Sequence, residues 1–538
     1  MSTKEKFLKE MAAGYTFEGE NIILGGAMID GEVQTGTYVN LPLSTLNRHG
    51  LIAGATGTGK TKTLQVLAEN LSMMSVPVLL MDIKGDLSGL GAASDGHRKI
   101  DERHESIGIP WESSDYPIEF LSISEEKGVR MRATVSEFGP VLMGKILNLN
   151  ETQSGVLAVV FKYCDDQQWP LLDLKDLKKM LQYITNEGKE EIKKEYGHIS
   201  PASTGAILRR IIELEGQGAE LFFGEKSFEV DDLMRIDGAG YGVINIMRLT
   251  DIQDRPKLFS TFMLCLLAEI YSTFPEEGDL DAPKLVIFID EAHLIFDEAS
   301  DALMDQLETM VKLIRSKGVG LFFCTQNPTD VPDDVLSQLG LKVQHALRAF
   351  TARDRRQIKQ SAENFPISEY YDVDQLLTEL GIGEALVTVL NEDGIPTPLA
   401  WTMLRAPCSR MDVLSDSEIR ERIRKSRLIG KYEEDIDRES AYEILQDKIE
   451  ESQEAERQAE LKRQQEELDR KAEERQSRRR RSSGGREKSR LEEIANSTTG
   501  RMVIREVTRG ILGVLGLGGK RRSTRRKKSR RKKSSPWW

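Results

Sequence analysis

The sequence has few cysteines, and their spacing suggests no pairing. The four cysteines stand far apart without C-x-x-C spacing, and three of them lie in apolar segments. They are Cys164, Cys265, Cys324 and Cys408. This pattern argues against a disulfide framework or a zinc site and indicates buried thiols in a reducing compartment. We therefore predict a cytoplasmic location.

Long apolar segments and a secretion signal are also missing. No stretch approaches the roughly 18 consecutive apolar residues that a membrane-spanning helix needs. The first residues, Met1 to Glu5, lead into a charged helical pattern and not into an apolar signal core. The 6 histidines have no ligand spacing, and no serine or thiol nucleophile is set beside a base. We therefore expect no membrane span, and no metal chemistry or covalent catalysis is indicated by these residue types.

Charge is distributed unevenly along the 538 residues, whose net charge is −12. Residues 478–538 hold 21 Lys and Arg against 4 acidic residues, which gives +17 and leaves −29 for residues 1–477. The densest part is residues 520–533, where 11 of 14 side chains are basic. Such a tail suits a polyanion such as nucleic acid, although it could equally serve as a solvated segment that maintains solubility.

The most informative segment matches the phosphate-loop pattern G-x-x-x-x-G-K-[ST] in full. It follows an apolar, strand-like segment at 51–53 and precedes a helical pattern at 63–72, which is the context that this motif requires. Its backbone N–H groups can face phosphates, Lys60 can reach the β- and γ-phosphates, and the Thr61 hydroxyl can bind Mg²⁺. The loop consists of Gly54, Ala55, Thr56, Gly57, Thr58, Gly59, Lys60 and Thr61. We therefore predict that ATP and Mg²⁺ are the ligands.

A second chemical signal is an apolar segment at 285–289 that ends in Asp290 and Glu291. This is typical of a Walker B strand, in which Asp290 would bind Mg²⁺ opposite Thr61. Glu291 would polarise a water for in-line attack on the γ-phosphate. Because phosphate transfer to a second substrate does not need a water-activating carboxylate here, Glu291 favours ATP hydrolysis.

Three further residues are candidates for the site. Asp82 ends another apolar segment at 78–82 and could tune Mg²⁺ or the attacking water, or it could cap the turn before Gly85. Gln326 follows the apolar segment 319–324, where an amide could sense the γ-phosphate or be an ordinary turn residue. Arg48 stands 12 residues before Lys60, so we expect it near the entrance of the nucleotide pocket.

The patterns predict an α/β fold whose mainly parallel sheet is interrupted by helices. We expect a short helix and small β preface at 1–45, the first part of an ATPase core at 46–138 and a helical insert at 139–235. The second part of the core would occupy 236–410. Charged, helix-favouring residues at 411–481 predict an exposed helical spacer, and 482–538 a basic, disordered tail.

With these motifs assembled, the chain resembles the HerA/FtsK class of RecA-like motor ATPases, and within it the bacterial HerA-like family typified by YjgR. The resemblance covers roughly residues 15–407. Besides the phosphate loop, Asp290 to His293 and Gln326, the segments that carry it are 135–140, 147–153, 314–320 and 343–351.

The resemblance implies a RecA-like P-loop core and a homo-hexameric ring with ATP between subunits. It also implies that arginines complete each site, and Arg48 and Arg315 occupy the matching places, with the choice between cis and trans left open. HerA proper carries a larger N-terminal β-barrel that engages a nuclease, and residues 1–45 are too few for it, which puts a nuclease partner in doubt. We expect a DNA translocase or helicase; an ATP-dependent protein remodeller and a nucleotide-gated scaffold stay open as alternatives.

Overall fold

The computed structural model describes residues 2–252, 255–278, 280–297, 301–433 and 438–482, and the basic tail beyond residue 482 lies outside this range. The chain forms two compact units, residues 1–450 and 451–538. The first unit contains every strand of the described residues.

One sheet organises the first unit. In sheet order, its strands run β2-β1-β12-β11-β10-β3-β9-β8-β4-β7-β5-β6. In chain order they are β1 (Asn21–Ile29), β2 (Glu32–Pro42), β3 (Gly50–Ala53), β4 (Val78–Asp82), β5 (Ile118–Ser122), β6 (Val129–Arg130), β7 (Ile244–Arg248), β8 (Leu285–Ile289), β9 (Val319–Thr325), β10 (Leu341–Gln344), β11 (Glu384–Thr388) and β12 (Ala400–Leu404).

The strands from β10 to β6 in this order are all parallel, whereas β11, β12, β1 and β2 extend the sheet in antiparallel pairs. The predicted α/β class with a mainly parallel sheet is therefore confirmed. The parallel arrangement brings the carboxyl ends of β3, β9, β8 and β4 to one edge of the sheet. In open α/β sheets, ligands bind at this edge.

The helices of the described residues are α1 (Thr3–Gly14), α2 (Lys60–Met73), α3 (Arg98–Ile107), α4 (Val135–Ile146), α5 (Glu151–Gln167), α6 (Leu174–Tyr183), α7 (Lys189–Glu195), α8 (Pro201–Glu215), α9 (Pro256–Thr273), α10 (His293–Asp297), α11 (Asp301–Ile314), α12 (Asp333–Leu336), α13 (Ala352–Ala362), α14 (Val373–Glu379), α15 (Asp416–Lys425), α16 (Ile429–Tyr432) and α17 (Ala441–Ser482). Short 3₁₀ turns include Leu43–Arg48 and Arg315–Lys317.

Both faces of the sheet are buried, which explains why its central strands have uninterrupted apolar sequences. In β8, Leu285, Ile287 and Ile289 join one core cluster, and Val286 and Phe288 join the cluster on the other face. Helices α4 to α8 lie between β6 and β7 in the chain and share the first cluster with α9. The sheet thus holds the residues that follow each strand in fixed positions.

The start of α17 differs from the exposed helix that its sparse apolar residues predict. Ala441 and Leu445 are fully buried, the Ala441 N–H donates to the Pro170 carbonyl, and Asp176 in α6 accepts from the Ser440 hydroxyl at 2.6 Å. Two apolar residues one helical turn apart are enough to attach this part of the helix to the core. From residue 451 to residue 475 every side chain is exposed. No described helix is long and apolar enough to cross a membrane.

Candidate active site

The phosphate loop joins the end of β3 to the start of α2, as the sequence context predicts. Gly54, Gly57 and Gly59 have φ of 150°, 78° and 115°, in the region that favours glycine. A Cβ on Gly54 would lie 2.5 Å from the His345 Cβ, which requires glycine on steric grounds as well. A Cβ on Gly57 would meet nothing within 4 Å, so this part of the loop faces open space.

At the start of α2, the Lys60 side chain points into the phosphate loop and the Thr61 side chain points toward the loop that follows β4. Lys60 Nζ donates to the carbonyl oxygens of Gly54 at 2.6 Å and Ala55 at 3.3 Å. Burial lowers the pKa of Lys60, and the nearby charge of Lys84 lowers it further. The Thr61 hydroxyl donates to Asp86 Oδ2 at 3.3 Å. Asp86 was not identified from the sequence.

Asp290 and Glu291 follow β8, two strands away from β3. Burial raises the pKa of Asp290 to about 6, and the charges of Glu291 and Asp86 add to this although Lys84 opposes it. Glu291 has a φ of 48°, which is uncommon for a residue other than glycine. Asp290 and Glu291 are 6% and 7% exposed as whole residues, so both lie in a poorly hydrated part of the site.

Lys84 links these two acids, a role that sequence reasoning did not identify. Its ammonium forms an ion pair with Glu291 Oε1 and lies 3.7 Å from Asp290 Oδ2. Although burial acts to raise the pKa of Glu291, the bond to Lys84 holds it below its ordinary value, and the Gln326 side chain acts in the same direction. His293 Nδ1 lies 3.2 Å from Glu291 Oε2 without meeting hydrogen-bond geometry.

The contacts of Asp82 are those of a residue that caps a turn, which is the second of its two predicted roles. Its carboxylate accepts N–H bonds from Gly85 at 2.7 Å, Asp86 at 3.2 Å and Leu87 at 3.3 Å. Burial raises the pKa of Asp82 to about 7, and the charge of Asp86 contributes. Asp82 therefore shapes the loop that carries Lys84 and Asp86.

Gln326 stands at the tip of β9, between β3 and β8. It lines a cavity of about 270 Å³ together with Ala55 and Thr56 of the phosphate loop and with Arg348 and Phe350 beyond β10. An amide here is near both the loop and Glu291, which fits the predicted sensor role in position.

The two arginines lie at the amino ends of the parallel strands, at the opposite end from the phosphate loop. Arg48 precedes β3, and Arg315 precedes β9, whereas the phosphate loop and Gln326 follow these strands. The expectation that Arg48 lies near the entrance of its own pocket is therefore wrong, because the length of β3 separates it from the loop. Arg48 Nη2 donates to the Glu392 carbonyl at 3.3 Å. Between Arg48 and β3, His49 is buried against the Val311 carbonyl, and Arg315 is close enough to help lower its pKa to about 4, after the larger effect of burial.

The residues present fit a nucleotide with Mg²⁺. Mg²⁺ is usually bound by one or two carboxylates together with phosphates and water. Asp86 Oδ1 and Glu291 Oε2 are buried without a hydrogen-bond partner in the described structure. Thr61 and Asp290 are the residues that would hold the ion, with Asp86 beside Thr61.

Comparison with known proteins defines the family. The model of the family described as Helicase HerA-like C-terminal matches residues 28–522. The chain belongs to this family. It is a P-loop ATPase of the HerA/FtsK class, as its motifs predict. The narrower likeness to the YjgR type stays a prediction.

Several relatives and solved structures are similar to this chain. The DNA double-strand break repair helicase HerA of Sulfurisphaera tokodaii is 22% identical over 385 residues, which cover 69% of this chain and 68% of the relative. HerA of Saccharolobus solfataricus is 24% identical, with 66% of each chain covered. Among solved structures, the bacterial conjugative coupling protein TrwBdeltaN70 has a TM-score of 0.47 at 15% identity, covering 76% of this chain and 94% of that one. VirB4 of Thermoanaerobacter pseudethanolicus has a TM-score of 0.47 at 16% identity, with 73% and 98% covered.

Proposed function

We propose that this protein is an ATP-hydrolysing ring motor that acts on DNA as a translocase or helicase. The observation that carries the proposal is the convergence of Lys60, Glu291 and Gln326 at one edge of the sheet, on the ends of β3, β8 and β9. A phosphate cation, a water-activating carboxylate and an amide sensor are the groups that hydrolysis of a γ-phosphate needs. Membership of a helicase family supports the motor class.

Each residue has a distinct part in the proposed reaction. Lys60 and the N–H groups of the loop bind the β- and γ-phosphates, and Glu291 accepts a proton from the attacking water. Gln326 orients that water or the γ-phosphate. Thr61 and Asp290 hold Mg²⁺, which when bound would neutralise charge that develops on the phosphate oxygens. Buried surroundings strengthen these electrostatic effects because little water screens them.

The position of the arginines supports a ring. Arg48 and Arg315 lie at the amino ends of their strands, whereas the loop of their own subunit lies at the carboxyl ends. A four-residue strand such as β3 spans about 13 Å. The two arginines therefore suit a nucleotide held by a neighbour. A contact between two different faces of identical subunits is heterologous and closes into a ring when its rotation allows. We propose a homo-hexamer in which one or both arginines act in trans.

An exposed basic segment near the nucleotide site supports DNA as the polymer. Arg353, Arg355 and Arg356 of α13 are exposed and form no ion pair with another described residue, and Phe350 just before them is 87% exposed. Basic side chains bind the phosphate backbone, and an exposed aromatic ring can stack on a base. The HerA relatives carry the name of a DNA repair helicase.

A cytoplasmic location is part of the proposal and is supported by four buried, unpaired cysteines.

ATP turnover measured with and without DNA tests the proposal. We expect duplex or single-stranded DNA to stimulate turnover severalfold, and the triple variant Arg353→Ala, Arg355→Ala, Arg356→Ala to lose the stimulation while retaining basal turnover. A matched control is Arg98→Ala, an exposed arginine of α3 that pairs with Glu102. Turnover that DNA leaves unchanged would favour a protein remodeller, and absent turnover a nucleotide-gated scaffold.

A further inference from the structure

A cavity of about 270 Å³ lies in front of the phosphate loop, and the segment after β10 forms one of its walls. Ala55 and Thr56 of the loop line one side, together with Gln326 at the tip of β9. Arg348 and Gln357 are among the residues that line the other side. Because Gln326 is the residue proposed to sense the γ-phosphate, this cavity lies at the γ-phosphate end of the nucleotide site.

The backbone of the segment after β10 is held against the phosphate loop. The Ala55 N–H donates to the Ala346 carbonyl at 2.8 Å. In the next residue, the Leu347 N–H donates to the Leu377 carbonyl at 2.8 Å, and both leucines are buried in one apolar cluster. The backbone of Arg348 is therefore fixed two residues away from a direct bond to the loop.

The Arg348 side chain brings a positive charge to this cavity. It is exposed, and its Nη1 donates to the Thr378 carbonyl at 3.0 Å. It forms no ion pair with any residue that the structure describes. A guanidinium has five N–H donors in a planar fork, so the bond to Thr378 leaves others for an anion. Such a side chain in a cavity beside a phosphate loop suits a phosphate group.

An acid, Asp354, also lines this cavity, but its carboxylate is engaged by its own helix. Its Oδ2 accepts N–H bonds from Phe350 and Thr351, both at 2.8 Å, and its Oδ1 accepts from the Thr351 hydroxyl at 2.7 Å. These bonds cap the start of α13 and hold the pKa of Asp354 below its ordinary value. Asp354 therefore leaves the Arg348 guanidinium available to a phosphate.

We propose that Arg348 binds the γ-phosphate of the ATP held by its own subunit. This inference rests on the proposed function, in which Gln326 faces that phosphate. Lys60 reaches the phosphates from the start of α2, and Arg348 approaches the γ-phosphate from the side of β10. Because ADP lacks this phosphate, the contact is made with ATP alone, and it allows the site to distinguish substrate from product.

Affinities for ADP and for a non-hydrolysable ATP analogue, measured by displacement of a fluorescent ADP, test this contact without turnover. We expect Arg348→Ala to weaken binding of the ATP analogue about tenfold, equivalent to about 1.4 kcal/mol, since hydrogen bonds to charged groups contribute this much or more. The affinity for ADP should stay unchanged. Arg348→Lys keeps the charge without the planar fork, so it should lose less. The matched control is Arg353→Ala, which removes a positive charge from the same segment outside the cavity lining and should change neither affinity.

The ratio of the two affinities decides the outcome. An unchanged ratio in Arg348→Ala would overturn the inference, and so would an equal loss for ADP and the ATP analogue. The same change in Arg353→Ala would reduce the result to a general effect of charge and count against a direct contact. Arg348→Gln is a second uncharged variant, judged by the same ratio.

Mixed assemblies test whether Arg348 acts in its own subunit. Arg348→Ala protein mixed with Lys60→Ala protein should recover no turnover, because each subunit then lacks one group that its own site needs; recovery would overturn the assignment in cis. If DNA leaves wild-type turnover unchanged, the proposed motor function fails, whereas the affinity ratio still decides the role of Arg348. If DNA stimulates turnover and the ratio is unaltered in Arg348→Ala, only the role of Arg348 fails.

Discussion

Leu445 should anchor the start of α17 to the core, and its removal should release that segment. The side chain is fully buried in the cluster that also contains Leu177 and Met180 of α6. Truncating a buried leucine to alanine costs about 3 kcal/mol, since apolar contacts are lost and a cavity remains. Because each 1.4 kcal/mol is a factor of ten, local opening should become roughly a hundredfold more frequent.

Hydrogen exchange of the backbone amides in residues 441–449 measures this opening directly. We expect Leu445→Ala to accelerate exchange there by about two orders of magnitude and to leave β3 and β8 unaffected. Leu461→Ala is a control within the same helix, because that side chain is 51% exposed. Equal exchange in the two variants would refute the packing argument and restore the picture of an exposed helix along its whole length.

Three other outcomes test the site and the tail. Lys60→Ala should abolish turnover, whereas Glu291→Gln should bind ATP without hydrolysing it, which binding and turnover assays would distinguish. Mixing Arg48→Ala or Arg315→Ala protein with Lys60→Ala protein should restore some turnover if the finger acts in trans; no recovery together with a monomeric mass in ATP would count against a ring. Deleting residues 520–538 should leave basal turnover intact and flatten the dependence of log K for DNA on log[salt] by roughly five units, if about six of its charges contact phosphates. An unchanged slope would leave that segment with a role in solubility only.

Local sequence patterns are enough to predict much of the fold and the whole of the phosphate loop. The loop is recognisable because its glycines, Lys60 and Thr61 are contiguous and sit between a strand pattern and a helix pattern. The β8 segment is recognisable because both sheet faces are buried, so it contains only apolar residues. Such features depend on neighbours in sequence.

The parts that were missed depend on neighbours in space. Lys84 pairs with Glu291 only because β4 lies next to β8, and a lysine in a turn is otherwise an ordinary exposed residue. The signal that could have revealed it is that its loop follows an apolar strand in the same way as Asp290 does. The position of Arg48 differs from the prediction because closeness in sequence to Lys60 does not imply closeness in space, and β3 runs between the two residues.

The separation of the arginines from the loop has a kinetic consequence. If each site takes an arginine from a neighbour, a single subunit in solution holds only part of a site. Specific activity would then depend on protein concentration, falling steeply on dilution below the dissociation constant of the ring and levelling off above it. The cell could set the output of such a motor by how much of the protein it makes, without any change in the sites themselves.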